Sequence, residues 1–96
     1  MKVFSSLSLL LFAGVASAQY KCSCTGANTN PVTNNCCGGG NGITFPDGSQ
    51  HRGVVLNSGE SCQYSGLGQF NKDQFTSSFG ACCDSTGGTK NGAQCS

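Results

Sequence analysis

Apolar residues are spread along this chain in two unlike ways. From Val3 to Val15 they run almost without interruption, as Val3-Phe4-Ser5-Ser6-Leu7-Ser8-Leu9-Leu10-Leu11-Phe12-Ala13-Gly14-Val15. Lys2 precedes this run and Ala16-Ser17-Ala18 closes it, which is the positive, apolar and small-residue succession of a secretory signal peptide. The run is shorter than the ~20 residues a spanning helix needs, and no second one follows. The expectation is therefore a signal peptide over 1–18, cleavage after Ala18, and a secreted chain that starts at Gln19, a residue able to cyclise to pyroglutamate.

Beyond Gln19 the apolar positions are sparse and periodic. Tyr20-Lys21-Cys22-Ser23-Cys24 alternates, which predicts a strand with both cysteines on one face. Asn30 and Pro31 open a short helix, Asn30 as its cap and Pro31 in its first position. Val32 and Cys36 are i, i+4 neighbours on it, and Gly38-Gly39-Gly40 ends it. Ile43-Thr44-Phe45, Val54-Val55-Leu56 and Ser61-Cys62-Gln63-Tyr64 are strand formers, separated by the turn signals Pro46-Asp47-Gly48 and Asn57-Ser58-Gly59. A hairpin is expected around the second turn.

Asn71 and Gln74 make a capping box, and Phe70 and Phe75 occupy the staple positions around it. Phe75, Phe79 and Cys82 or Cys83 then recur on one face, so a helix is predicted from about Lys72 to Cys83. Gly87-Gly88 releases the chain into a last short strand over 89–95. The order is βαββαβ, and the expected fold class is α+β: a small disulfide-rich sandwich of two helices on an antiparallel sheet. A Cys-Cys pair on the last turn of each helix, followed by glycine, echoes once along the chain, as a split βαβ pair would.

Residues 19–96 are enough for one domain, and large apolar side chains are few in it. Cores of this size rarely supply more than ~3–5 kcal/mol of net stability. The eight cysteines, Cys22, Cys24, Cys36, Cys37, Cys62, Cys82, Cys83 and Cys95, all follow Gln19. In a secreted chain this even set predicts a disulfide framework. Adjacent cysteines rarely bond each other, nor do Cys22 and Cys24 within one strand. Most bridges are expected to tie a helix to a strand. The C-x-C and C-C spacings with one histidine argue against zinc, whose sites favour C-x2-C and C…H pairs. No metal or other cofactor is expected.

Charge removes further classes. Lys21, Arg52, Lys72 and Lys90 balance Asp47, Glu60, Asp73 and Asp84 after Gln19. With no basic run, neither nucleic acid nor an anionic membrane has an electrostatic footing, and stable membrane insertion is not expected. Catalytic sets are missing too. His51 is the only imidazole and falls in the polar stretch Asp47-Gly48-Ser49-Gln50-His51-Arg52, where it is expected to be an exposed loop residue. No G-x-S-x-G elbow surrounds a serine. Asp73 belongs to the first turn of the second helix, and sequence logic brings no two carboxylates together as a glycosidase requires. Gly38-Gly39-Gly40-Asn41-Gly42 lacks the lysine and hydroxyl of a phosphate loop. Tyr20 and Tyr64 are read as core or rim residues, and no N-x-[ST] acceptor follows Gln19. The chain is expected to be non-enzymatic.

Cys22-Ser23-Cys24, Thr33-Asn34-Asn35-Cys36-Cys37, Cys62, Phe79-Gly80-Ala81-Cys82-Cys83 and Cys95 give the order C-x-C…CC…C…CC…C. This resembles the small secreted cysteine-rich, effector-like proteins of filamentous fungi. The βαββαβ arrangement is similar to the killer toxin encoded by a smut-fungus virus. The resemblance implies a secreted virulence or host-interaction protein without enzymatic activity. It would act as a monomer on an extracellular host or microbial protein or glycan. Two alternatives belong to other classes. An antimicrobial or killer-type toxin is one, although no dibasic processing site is present. A hydrophobin-like surface-active structural protein is the other. Hydrophobins place one cysteine before the first pair and two between the pairs; this chain does the reverse.

Overall fold

The computed structural model describes residues 19–88 and 90–96, so the expected signal peptide over 1–18 lies outside the described residues. The elements are β1 (Tyr20–Cys24), α1 (Asn30–Gly38), β2 (Ile43–Thr44), β3 (Gln50–His51), β4 (Val54–Leu56), β5 (Ser61–Tyr64), α2 (Lys72–Gly87) and β6 (Ala93–Cys95). Four strands form an antiparallel sheet in the order β4-β5-β1-β6, and both helices pack on it, so the fold is α+β as expected. Numbered among themselves, these four strands run 2-3-1-4, the order of a split βαβ pair.

The alternation in β1 orients the sheet. Cys22 and Cys24 point inward and are buried, while Lys21 and Ser23 point out. The register Cys22↔Cys62 with β5 and Cys22↔Cys95 with β6 puts three cysteines in one row across the sheet. Val55 continues that row from β4. The helices cover the inner face, and among the described residues no helix covers the outer one.

α2 begins as its sequence dictates. The Asn71 side chain accepts from the Gln74 backbone N–H at 2.9 Å, and the Asn71 N–H donates to the Gln74 side chain at 2.9 Å. Phe70 and Phe75 meet across the cap with ring centroids 6.3 Å apart. Phe75, Phe79 and Cys83 form the buried stripe. The helix runs one turn beyond Cys83, to Gly87, where left-handed Gly88 closes it. The Cys-Cys pair is therefore on its last turn in α1 alone.

α1 departs from expectation at its start. Thr29 is the N-cap residue and Asn30 is already helical. The Thr29 hydroxyl does not cap the helix; it donates to the Cys24 carbonyl at 3.0 Å. Thr33, 1 % exposed, docks the helix: its Oγ1 accepts from the Cys24 N–H at 2.9 Å. Val32, the expected apolar anchor, is only half-buried.

One further difference concerns the strands. Ile43–Thr44 does not join the main sheet but pairs with Gln50–His51 as a separate ribbon across the Pro46-Asp47-Gly48 turn. Phe45 seats this ribbon by stacking on Phe70 at 4.3 Å and meeting Phe75 edge-on at 5.1 Å. The β4–β5 hairpin forms at the expected turn, through a 3-10 turn at Asn57–Gly59 in which all three residues have positive φ. Gly59, at φ +105°, has its α-carbon against the Asn30 carbonyl, and a β-carbon there would collide with that oxygen.

The buried interior has two parts. Cys22, Cys24, Cys36, Cys37, Cys62 and Cys83 fill the space between helices and sheet. Tyr64, Phe45, Phe70, Phe75 and Phe79 form an aromatic cluster beside them, with Tyr20 on Phe75 at 4.9 Å. The Tyr64 hydroxyl is buried there with no hydrogen-bond partner among the described residues, and burial pushes its phenol well above the ordinary tyrosine range.

These two positions give opposite expectations, both checked by guanidinium denaturation of the oxidised protein. Tyr64→Phe removes an unsatisfied buried hydroxyl and keeps the ring, so stability is unchanged or rises by up to ~1 kcal/mol. Gly59→Ala forces a side chain into a left-handed, contacted position and costs about 2 kcal/mol or more.

Candidate functional site

The disulfide framework is the most developed side-chain assembly of the molecule. Cys22 pairs with Cys95, Cys24 with Cys83, Cys36 with Cys82, and Cys37 with Cys62. No Cys-Cys pair bonds internally, and Cys22 and Cys24 part to different partners. Helix geometry explains the division. Consecutive helical residues point about 100° apart, so each pair faces two ways. Cys36 and Cys82 turn to each other between the helices, while Cys37 and Cys83 turn to β5 and β1. Only two bridges tie a helix to a strand, against the expected majority; one joins the helices and one joins β1 to β6.

The loops closed are long, with sequence separations of 73, 59, 46 and 25. In the chain-entropy account each bridge of such length contributes about 3–5 kcal/mol. The loops overlap, so the four contributions do not simply add. All eight expected cysteines are in these bonds, and none is free.

The sequence predicts an exposed loop position for His51. It lies instead on β3, half-buried, with its ring edge-on to Phe45 at 5.3 Å. A short polar chain runs from it. His51 Nε2 is 2.9 Å from Ser49 Oγ, and Ser49 Oγ in turn contacts Asp47 Oδ1 at 2.5 Å. The Ser49 backbone N–H also donates to Asp47 Oδ1, at 2.9 Å, forming an Asx-turn. The three residue types are those of a hydrolytic triad, but their order is not. A triad places histidine between serine and carboxylate, so that the ring receives the serine proton. Here serine is in the middle. Its one hydroxyl proton goes to Asp47, and the imidazole donates to Oγ from the other side. That arrangement holds a turn closed; it does not draw a proton from Ser49 toward His51.

Arg52 is spent nearby, its guanidinium donating to the Gly40 carbonyl through two nitrogens. Asn41, Gln50, His51 and Arg52 border an open hollow of about 540 Å³ beside the ribbon. Of the expected carboxylates, Asp73 is in the first turn of α2 and Asp84 Oδ1 accepts from the Gly92 N–H at 2.9 Å. Glu60 follows the hairpin turn, and Asp47 is at the ribbon tip; among the described residues no hydrogen bond joins any two of the four.

The outer face of the main sheet carries no covering helix among the described residues. Lys21, Ser23, Ser61, Gln94, Cys95 and Ser96 surround a shallow hollow of about 370 Å³ on it. Gln63 donates to the Gln19 side chain at 3.3 Å along the same face. Val54, 64 % exposed at the β4 edge, is the one large apolar residue exposed among the described residues. The face offers amides and hydroxyls with one ammonium group, a surface suited to hydrogen-bonded recognition.

The ribbon tip yields a pH expectation. Hydrogen bonds from the Ser49 side chain and backbone, with His51 nearby, hold the Asp47 carboxyl below its ordinary value of 3.8. A carboxyl lowered on folding contributes stability above its unfolded value, and loses it as pH falls through the lowered folded value. NMR titration is expected to place the Asp47 midpoint below 3.8, and Ser49→Ala to move it back up toward 3.8.

No family model, curated protein or solved structure matches this chain.

Proposed function

We propose that this protein is a secreted, effector-like, non-enzymatic binding protein that acts in the extracellular space on a host or microbial protein or glycan. The observation that carries the reading is the four-bridge framework, which connects both helices and three of the sheet's four strands. Such cross-linking belongs to oxidising compartments. It also suppresses the local opening that proteases exploit, which suits a molecule working among them. No helix among the described residues is long and apolar enough to cross a membrane. The near-neutral chain and the serine-centred order of Asp47, Ser49 and His51 support recognition over hydrolysis. The cysteine order, similar to that of fungal effector-like proteins, supports the choice of class.

The oxidised protein, immobilised, is expected to retain one or more components of host extracellular fluid reproducibly, and to lose them after reduction and alkylation. Intact mass of the exported protein is expected to match residues 19–96 less two hydrogens for each of the four bridges. A growth-inhibition assay on competing fungi discriminates the toxin alternative: potent killing at low dose overturns the proposal. Film formation or foaming by the pure protein would overturn it in favour of a surface-active structural role.

A further inference from the structure

Two of the four bridges lie side by side in the space bounded by α1, α2 and β1. Cys36 is bonded to Cys82, and Cys24 to Cys83. The sulfurs of Cys24, Cys36 and Cys83 all lie within 4.8 Å of one another. These three residues are buried, whereas Cys82 is half-buried. The Thr86 hydroxyl is 3.6 Å from Cys82 Sγ and 3.8 Å from Cys36 Sγ. The bonded sulfurs carry no hydrogen, so the hydroxyl is the donor.

Thiol–disulfide exchange needs a thiolate to reach one sulfur of the bond while the other leaves as a thiolate. Of these four sulfurs, that of Cys82 belongs to the residue most open to solvent. Attack there expels Cys36, whose sulfur is beside a hydroxyl donor and beside an intact second disulfide. Both sulfurs of that second disulfide are within 4.8 Å of Cys36, and one further contact favours Cys24 as its next partner. Thr33 holds the Cys24 N–H at 2.9 Å and lies one turn before Cys36 on the same side of α1. Cys24 and Cys36 are thus kept together by a bond that does not involve sulfur.

We propose that Cys82 is the site at which a low-molecular-weight thiol of the glutathione class enters the framework, and that Cys36 passes the opening inward to the Cys24–Cys83 bond. In the first step a thiolate RS⁻ attacks Cys82 Sγ, forming a mixed disulfide and releasing the Cys36 thiolate. That thiolate attacks Cys24 Sγ, forming Cys24–Cys36 and releasing the Cys83 thiolate, which takes a proton. A second RS⁻ attacks the external sulfur of the mixed disulfide, giving RSSR and the Cys82 thiol. Two RSH are oxidised to RSSR, and the protein gains two hydrogens and loses one disulfide. The consequence is specific to α2. Cys82 and Cys83 are its only cysteines, so this single two-electron event removes both of its covalent ties. Cys22–Cys95 and Cys37–Cys62 stay closed.

The test uses the fully oxidised protein and two reductions, each stopped at the species with two free thiols and mapped by alkylation and peptide mass. With a phosphine at about pH 3, thiolates are scarce and exchange is suppressed, so the map shows the bond first opened. Free Cys36 and Cys82 are expected. With glutathione at about pH 8, exchange is active, and free Cys82 and Cys83 with a Cys24–Cys36 bond are expected in about a tenth or more of the two-thiol species. Opening of any other bond first in acid overturns the entry site. Persistence of Cys24–Cys83 at the higher pH, or its replacement by Cys36–Cys83, overturns the inward transfer.

Discussion

The constraint on which everything else depends is that sulfur takes the place of hydrocarbon in the middle of this molecule. Cys22, Cys24, Cys36, Cys37, Cys62 and Cys83 are half of the buried apolar residues among those described, and they sit where a larger domain would stack leucines. A cystine fills volume modestly, yet it removes freedom from the unfolded chain over the whole loop it closes. That exchange lets strands as short as three residues and a nine-residue helix hold definite positions. A hydrocarbon interior of the same volume would not order them.

The two parts of the interior divide the task along the sheet. At the Cys24 end, three sulfurs gather where α1 and α2 meet β1. At the Tyr20 end, aromatic packing takes over, with Phe75 between Tyr20, Tyr64 and Phe45. The ribbon of β2 and β3 has no bridge of its own and depends on that aromatic end, through Phe45 on Phe70. The polar network from Asp47 through Ser49 to His51 is therefore carried by the part of the structure without covalent support.

What was legible in the sequence was local. The Asn71–Gln74 box, the staple of Phe70 and Phe75, the alternation in β1 and the Asn57-Ser58-Gly59 turn all depend on residues within a few positions of one another. The exclusion of bonds within Cys36-Cys37 and Cys82-Cys83 was likewise a matter of short-range geometry. The pairing itself was not legible. Which member of a vicinal pair faces the other helix and which faces the sheet is set by how α1 and α2 rest on β1, and Thr33 and Phe79 decide that through contacts remote in sequence. His51 was misjudged for the same reason. Its polar neighbours suggest a loop, but one side of the ring is covered by Phe45, whose place is fixed by a helix that begins more than twenty residues later. Thr29 shows the limit at smaller scale: a hydroxyl suited to capping α1 was claimed by the carbonyl of Cys24.

The pairing of β1 with β6 has a consequence for how the domain meets its surroundings. Lys21 and Ser96 exchange two backbone hydrogen bonds, of 3.0 and 2.9 Å, and the Cys22–Cys95 bridge clamps the same ladder one step further in. The Asn57–Gly59 turn lies at the far end of β5 from Tyr64, which pairs with Tyr20. The start of β1 and Ser96 are thus neighbours at one pole of the sheet, and the hairpin tip is at the other. A surface tether attached behind Ser96 would present the hairpin pole outward, and in a chain begun at Gln19 a short peptide link back from Ser96 would close the backbone into a ring without disturbing a strand.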